Sequence, residues 1–192
     1  MTGVELLMVT TFLTSMTGQG GGVFLQVKNA ALKDQCLLQL QQIFLAIQLR
    51  VDENDGRLPM AWFYHPTDAR SIVNVVAGKD ASVRKLFVCP AAPQAWQQTG
   101  LTYVYNDAIR GQLMDSLPNP SGVWLLMDAN AAGTQFPPPH LGGYNVLFCD
   151  GHAKWVPAQQ MGNFWRPPVV EQAPDEGGGA APNTGGGYGE DE

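Results

Sequence analysis

The amino-acid sequence predicts an α+β fold in which one long helix packs on a small antiparallel sheet. Apolar residues recur with helical spacing over residues 28–55, and short runs rich in β-branched and aromatic residues follow from residue 101 onward. The last two runs are joined by only Asp150-Gly151, a strong signal for a β-hairpin. No helical segment of about a dozen residues separates the last runs, so neighbouring strands are expected to be antiparallel.

Residues 1–27 form an apolar N-terminal segment of degraded composition. Residues 6–27 carry no charge, and this length approaches the roughly 20 apolar residues that cross a bilayer. The stretch TSMTGQGGG at 14–22 interrupts the run with small and polar residues. No Lys or Arg precedes it, so it is not an ordinary secretory signal. The residues alone leave two alternatives open. The segment is either part of a membrane or assembly helix, or a flexible arm.

Residues 28–55 are predicted to form an amphipathic helix. Its apolar residues are spaced three and four positions apart, which places them on one stripe of a helix with 3.6 residues per turn. The stripe consists of Leu32, Cys36, Leu40, Ile43, Phe44, Ile47 and Val51. Asp55-Gly56, followed by Leu58-Pro59, should end the helix.

A loop-rich middle with one short helix over 68–78 follows, and two strands are predicted at 101–106 and 122–128. The hairpin closes the sheet, with a two-residue type I′ turn at Asp150-Gly151. That turn pairs Cys149 with His152 and Phe148 with Ala153. It puts one face of the hairpin in the core, namely Tyr144, Val146, Phe148, Ala153 and Trp155, and leaves the other face outside, namely Asn145, Leu147, Cys149, His152 and Lys154.

The chain divides into the N-terminal segment, a head over 28–166 and a Gly, Pro and acid-rich tail over 167–192 that is predicted to be disordered. The net charge of −6 resides in the tail, because eleven basic and eleven acidic residues precede it. A body without a basic stripe is a poor nucleic-acid binder. Three cysteines are too few for a disulfide scaffold.

His140, Cys149, Asp150 and His152 are metal-ligand types close in sequence, but they lack the paired spacing of structural zinc sites. We therefore expect no metal and no cofactor, and we interpret His140 as fastening its loop to Asp150 or to a backbone carbonyl. No nucleophile elbow, P-loop or dinucleotide fingerprint occurs, so we expect no catalytic residues and no enzyme.

The order of these features resembles the prepilin-type processing-associated H-X9-DG proteins, a family of pilin-like and pseudopilin-like chains. Nine residues separate His140 from Asp150-Gly151, as in that family's signature. Three further pieces are similar to the family's helix, its Phe-x-Cys-Pro segment and its strand pair: CLLQLQQIFLAIQLRVDENDGRLP at 36–59, LFVCP at 86–90, and LTYVYN at 101–106 with LPNPSGVWLLMDAN at 117–130. The likeness covers about residues 28 to 156, and MTGVELLMVT is similar to the family's mature N-terminus.

The resemblance implies a pilin-like fold and gives several residues a role. Glu5 would be the assembly residue that meets the N-terminal amine of a neighbouring subunit. His140, Asp150 and Gly151 would form the structural family motif. Cys36 and Cys89 match family cysteines, which implies a disulfide between them and a free Cys149.

We therefore expect a pilin-like or pseudopilin-like structural subunit of a type II secretion or type IV pilus-like assembly. Its partners would be sister subunits through the N-terminal helix and inner-membrane lipid before assembly, with a single pass and a periplasmic head. The alternative is a soluble or tethered envelope protein that kept the head, lost filament assembly and binds a ligand or protein through AWFYHP at 61–66. A metal-dependent hydrolase built on His140, Asp150 and His152 is the third reading.

Overall fold

A long N-terminal helix leads into a head in which a four-stranded antiparallel sheet packs on the helix. The computed structural model describes residues 3–132 and 137–163. Helix α1 (Gly3–Asp52) has 50 residues and a length of about 75 Å. It joins the predicted N-terminal segment and the predicted 28–55 helix into one element. The α+β class is confirmed.

The C-terminal part of α1 carries the apolar stripe that the sequence predicts. Five members of the stripe are buried: Cys36, Leu40, Ile43, Ile47 and Val51. Leu32 and Phe44 are partly buried at its edges. The helix ends three residues before the predicted Asp55, because the chain turns into left-handed backbone at Asp55 (φ 51°) and Gly56 (φ 77°). Gly56 N–H donates to the carbonyl of Val51 over 2.9 Å and closes the last turn.

Three short helices bridge α1 and the sheet. Helix α2 (Ile72–Ala77) lies within the predicted 68–78 segment, and α3 (Ala81–Leu86) and α4 (Gln94–Gln97) follow it. Asp80 caps α3, since its carboxylate accepts hydrogen bonds from the Ser82 and Val83 amides. The chain between α3 and α4 crosses the core and carries Cys89.

The sheet is a simple antiparallel meander in the order β1-β2-β3-β4. Its strands are β1 (Tyr103–Tyr105), β2 (Trp124–Asp128), β3 (Gly143–Phe148) and β4 (Ala153–Pro157). Every residue of the first three strands is buried, because each face of the sheet carries an apolar cluster. One face packs on α1. The other face gathers a smaller cluster that includes Val146, Phe148 and Met161.

The hairpin exists where the sequence predicts it, but its predicted register is wrong by one residue. Leu147 pairs with Ala153 and Val146 with Lys154, not with Lys154 and Trp155. The loop has three residues instead of two. Phe148 N–H donates to His152 O over 2.9 Å, and Gly151 N–H donates to Phe148 O over 3.0 Å. Gly151 alone takes a positive φ, 89°, as in a type I turn followed by a bulge.

The side chain of Asp150 explains the longer loop. Its Oδ1 accepts the His152 amide at 3.1 Å and lies 2.5 Å from His152 Nδ1, which holds Asp150 at negative φ. A one-residue slip changes which β4 residues share a face with a given β3 residue, so Ala153 packs with Leu147 and not with Phe148. Val146 and Phe148 are buried as predicted, but in the smaller cluster, whereas Leu147 and Cys149, predicted to lie outside, are buried in the cluster against α1.

Within the described residues, no helix combines the length and the apolar composition needed to cross a bilayer. The predicted disordered tail at 167–192 lies outside the described residues.

Candidate functional site

A fully buried group of polar side chains lies between α1 and the sheet, and we refer to it as the buried cluster: Cys36, Cys89, Asp128 and His140. The two sulfur atoms and one imidazole nitrogen of its Cys36, Cys89 and His140 members all lie within 4.8 Å of one another. Those three side chains have no exposed surface. Cys89 Sγ lies 3.4 Å from His140 Nε2.

Asp128, the last residue of β2, completes the buried cluster. Its Oδ2 lies 3.4 Å from the same Nε2 of His140, and the carboxylate is 2% exposed. Asn145 N–H on β3 donates to that oxygen over 2.6 Å and fixes it. A carboxylate so deep in a protein requires a partner of this kind, because an unpaired buried charge is strongly destabilising.

Backbone hydrogen bonds hold Cys89 against β1. The hydroxyl oxygen of Thr102, just before β1, accepts from Cys89 N–H at 2.6 Å. The same hydroxyl donates to Phe87 O over 3.3 Å. The loop after α3 is thereby attached, at Phe87 and at Cys89, to the residue that precedes β1.

A tight turn immediately after His140 aims its imidazole inward. Leu141 and Gly142 have φ values of 49° and 80°, the positive pair that a type I′ turn requires. His140 and Gly143 exchange backbone hydrogen bonds of 3.3 and 2.9 Å across the turn. Trp155 Nε1–H on β4 donates to His140 O over 2.6 Å. The type I′ turn that the sequence predicts at Asp150-Gly151 thus occurs nine residues earlier, at Leu141-Gly142.

The electrostatics favour a neutral Cys89 thiol and a charged His140 imidazole. The adjoining Cys36 thiol, together with burial, raises the pKa of Cys89 far above its ordinary value. Burial lowers the pKa of His140, but the hydrogen bond and charge of Asp128, with Cys89, outweigh it and raise the pKa to about 9. At neutral pH the imidazolium and the Asp128 carboxylate form a buried ion pair. His140 Nδ1 has no hydrogen-bond partner among the described residues, so Nε2 alone orients the ring.

The structure separates the residues that the sequence groups around the hairpin. His140 contacts Asp128 and Cys89, not Asp150, so the predicted partner of His140 is wrong. Asp150 pairs with His152 at the exposed hairpin tip, and His152 stacks on Phe148 with ring centroids 4.3 Å apart. Cys149 and His152 are not cross-strand partners, since the turn has slipped.

Cys36 and Cys89 lie together, as the family resemblance requires, and both are thiols in the structure. The disulfide between them stays a prediction. Glu5 falls near the start of α1, and its side chain lies outside the described part of the chain.

A groove of about 490 Å³ lies between the end of α1 and the hairpin tip, and its walls include Phe44, Asp52, Asp115, Cys149 and Asp150. Burial raises the pKa of Cys149 to about 12, so this thiol is protonated at neutral pH and is a weak nucleophile. The cysteine in the wall of this groove is therefore not an activated nucleophile.

Sequence reasoning missed Asp128. The one available signal is an acid at the end of the otherwise apolar run GVWLLMD. Only the pairing of β2 with β3 shows that this acid points toward His140.

No family model, no curated protein and no solved structure matches this chain.

Proposed function

We propose that the protein is a non-enzymatic, pilin-like or pseudopilin-like subunit of an envelope assembly, anchored and packed among sister subunits through the N-terminal half of α1. The observation that carries the proposal is the division of α1 into two parts. Residues after Cys36 bury one stripe against the head, whereas residues 22–29 are exposed on all sides.

The exposed part of α1 is apolar where a free helix should be polar. Val23, Phe24, Leu25 and Val27 are each between 58% and 70% exposed. They are consecutive or nearly so, and thus point in different directions around the helix. Neighbouring exposed apolar side chains of this kind commonly mark a surface that protein or lipid covers. Copies of the same helix in a filament, or lipid before assembly, would cover these side chains.

The positions of the family-motif residues around β3 support the same proposal. His140, Asp150 and Gly151 secure the two ends of β3, which is how a structural signature rather than a catalytic one would work. The thiols and imidazole of the buried cluster have no exposed surface with which to meet a substrate. A periplasmic head on an inner-membrane helix follows from the resemblance and forms part of the proposal.

Fractionation of the protein, expressed from its genuine gene in its own host, tests this function. We expect it in the membrane fraction with a protease-accessible head, and partly in high-molecular-weight material. Glu5→Gln should reduce the high-molecular-weight share severalfold, because it removes the carboxylate that would meet a neighbour's amine. Glu53→Gln, beyond the end of α1, is the matched control and should change nothing. A wholly soluble, monomeric wild type would contradict the proposal.

A second candidate function, a tethered binding head, is favoured by one surface feature. The rings of Trp62 and Tyr64 stack 6.1 Å apart, and the guanidinium groups of Arg70 and Arg110 lie 4.9 Å from Tyr64 and 4.8 Å from Trp62. Phe63, between them in the chain, is 41% exposed. Arg70 already pairs with Asp68 over 2.9 Å, so the stacked rings, more than charge, suit this surface to a partner with planar groups. Co-purification of a partner that Trp62→Ala abolishes would favour this candidate.

A further inference from the structure

We propose that Cys36, Cys89, Asp128 and His140 form a structural zinc site in the centre of the head. The inference concerns the interior of the head and does not depend on filament assembly. Each ligand comes from a different segment: α1, the loop after α3, the end of β2 and the turn before β3. No pair of them is close in sequence, which is why the site has no recognisable motif.

The distances within the buried cluster suit a tetrahedral ion. Zinc bonds of about 2.3 Å to sulfur and about 2.0 to 2.1 Å to nitrogen or oxygen place adjacent ligand atoms about 3.3 to 3.8 Å apart. The observed separations of His140 Nε2 from Cys89 Sγ and from Asp128 Oδ2 are both 3.4 Å. Cys36 Sγ lies within 4.8 Å of the Cys89 and His140 ligand atoms. Asp128 is not within 4.8 Å of all three of these ligand atoms, so its carboxylate must shift toward the two sulfur atoms to complete the four-ligand site.

The donor set selects the metal. Two thiolates favour a soft or borderline ion, and imidazole is compatible with zinc, copper and iron. A carboxylate as the fourth ligand suits Zn²⁺ better than Cu⁺, which prefers sulfur. Four protein ligands close the coordination sphere, as in structural rather than catalytic zinc sites.

Hydrogen bonds around the ligands already hold them in place. Asn145 N–H positions Asp128 Oδ2, and the Thr102 hydroxyl positions the backbone of Cys89. Outer-shell contacts of this kind orient metal ligands. On binding, the two thiol protons and the proton on His140 Nε2 leave for solvent, and no electron is transferred. Because the site has no exposed surface, the ion enters as the head folds.

A disulfide between Cys36 and Cys89 would consume both thiolate ligands. The zinc site and the disulfide are therefore mutually exclusive, and the same experiment separates them.

Refolding of the full chain under reducing conditions tests the site. The unfolded protein is refolded with Zn²⁺ or with Co²⁺ as a spectroscopic substitute, and excess metal is removed. We expect one metal ion per chain, together with the thiolate-to-cobalt charge-transfer bands and intense visible bands of tetrahedral Co²⁺. Zinc-loaded protein should melt at least about 8 °C above protein refolded with chelator.

Substitutions assign the ligands. Cys36→Ser and Cys89→Ser should each weaken the charge-transfer bands, and Asp128→Asn should lower zinc affinity at least about tenfold. Asp128→Asn keeps an oxygen to accept from Asn145 N–H, so the fold should persist, which circular dichroism checks. Cys149→Ser is the matched control, a buried cysteine outside the cluster, and should bind cobalt like the wild type.

Three results would overturn the site. The first is that folded, reduced wild type binds neither metal. The second is that the cobalt bands persist unchanged in both Cys36→Ser and Cys89→Ser. The third is that protein isolated from its own host without reductant carries a Cys36–Cys89 disulfide. The first and third need no variant to fold.

Discussion

Alanine at Gly151 should detach the hairpin tip from α1. Gly151 has a φ of 89°, where an L residue is strained by about 1 to 2 kcal/mol. A methyl group on its Cα would lie 2.5 to 3.0 Å from three atoms of the Phe44 ring on α1. Displacing a partly buried ring from a packed site costs about 1 to 3 kcal/mol more. The expected loss of unfolding free energy for Gly151→Ala is therefore about 2 to 5 kcal/mol.

Thermal or urea unfolding measures this loss. For a domain of this size, about 2 to 5 kcal/mol lowers the melting temperature by roughly 5 to 15 °C. Gly142→Ala is the matched control, because Gly142 has a φ of 80° but no atom within 4 Å of the added methyl group. It should show only the backbone part, about 1 to 2 kcal/mol.

A Phe44→Ala background isolates the contact with the ring. There, Gly151→Ala should cost about 1 to 3 kcal/mol less than in the wild type, since nothing remains to collide with. Equal costs for Gly151→Ala and Gly142→Ala, or no coupling to Phe44, would refute the reasoning that the Asp-Gly motif closes the hairpin against the helix.

Three further changes test other parts of the head. Gly143→Ala would place a methyl group against the Trp155 ring and the Val156 carbonyl and should lower the melting temperature by several degrees, whereas an unchanged melting temperature would contradict the β3–β4 contact. Leu40→Ala removes a fully buried side chain and should cost about 2 to 5 kcal/mol in urea unfolding; a loss below about 1 kcal/mol would mean that α1 does not pack on the sheet here. Asp80→Ala removes a helix cap and should lower the melting temperature at pH 7. Hydrogen bonds from Ser82 lower the pKa of Asp80 below its ordinary 3.8, so its stabilisation is present above that pH and is lost as the pH falls through the lowered pKa. The difference from wild type should therefore shrink below about pH 4, and a difference that grows there would contradict this sign.

Local signals predicted the elements, and non-local pairing decided the site. The stripe from Cys36 to Val51 repeats every turn, so one segment suffices to find it and the face it buries. Asp150-Gly151 likewise marks a hairpin. The choice between two and three loop residues depends on the bond from Asp150 to His152, which the dipeptide pattern does not contain. That single choice shifted β4 by one residue against β3, so the predicted cross-strand pairs of the hairpin are wrong.

The buried cluster shows the same limit more strongly. Cys36 and Cys89 are 53 positions apart in the chain, and only the family resemblance suggested that they meet. Asp128 became visible as a site residue once β2 was paired with β3, because Asn145 then fixes its carboxylate beside His140. The spacing of these residues along the chain does not predict such a contact.

Chemical cross-linking in the native host tests the central claim, assembly through the N-terminal part of α1. Phe24→Cys introduces an exposed thiol at a position that is 70% exposed, while the three native cysteines are at most 2% exposed and should not react in the folded head. A bismaleimide reagent should then give dimers and a ladder of higher multimers. Leu113→Cys, on the head and 42% exposed, is the control and should remain monomeric. A monomer from Phe24→Cys, or an equal ladder from Leu113→Cys, would contradict assembly through the helix.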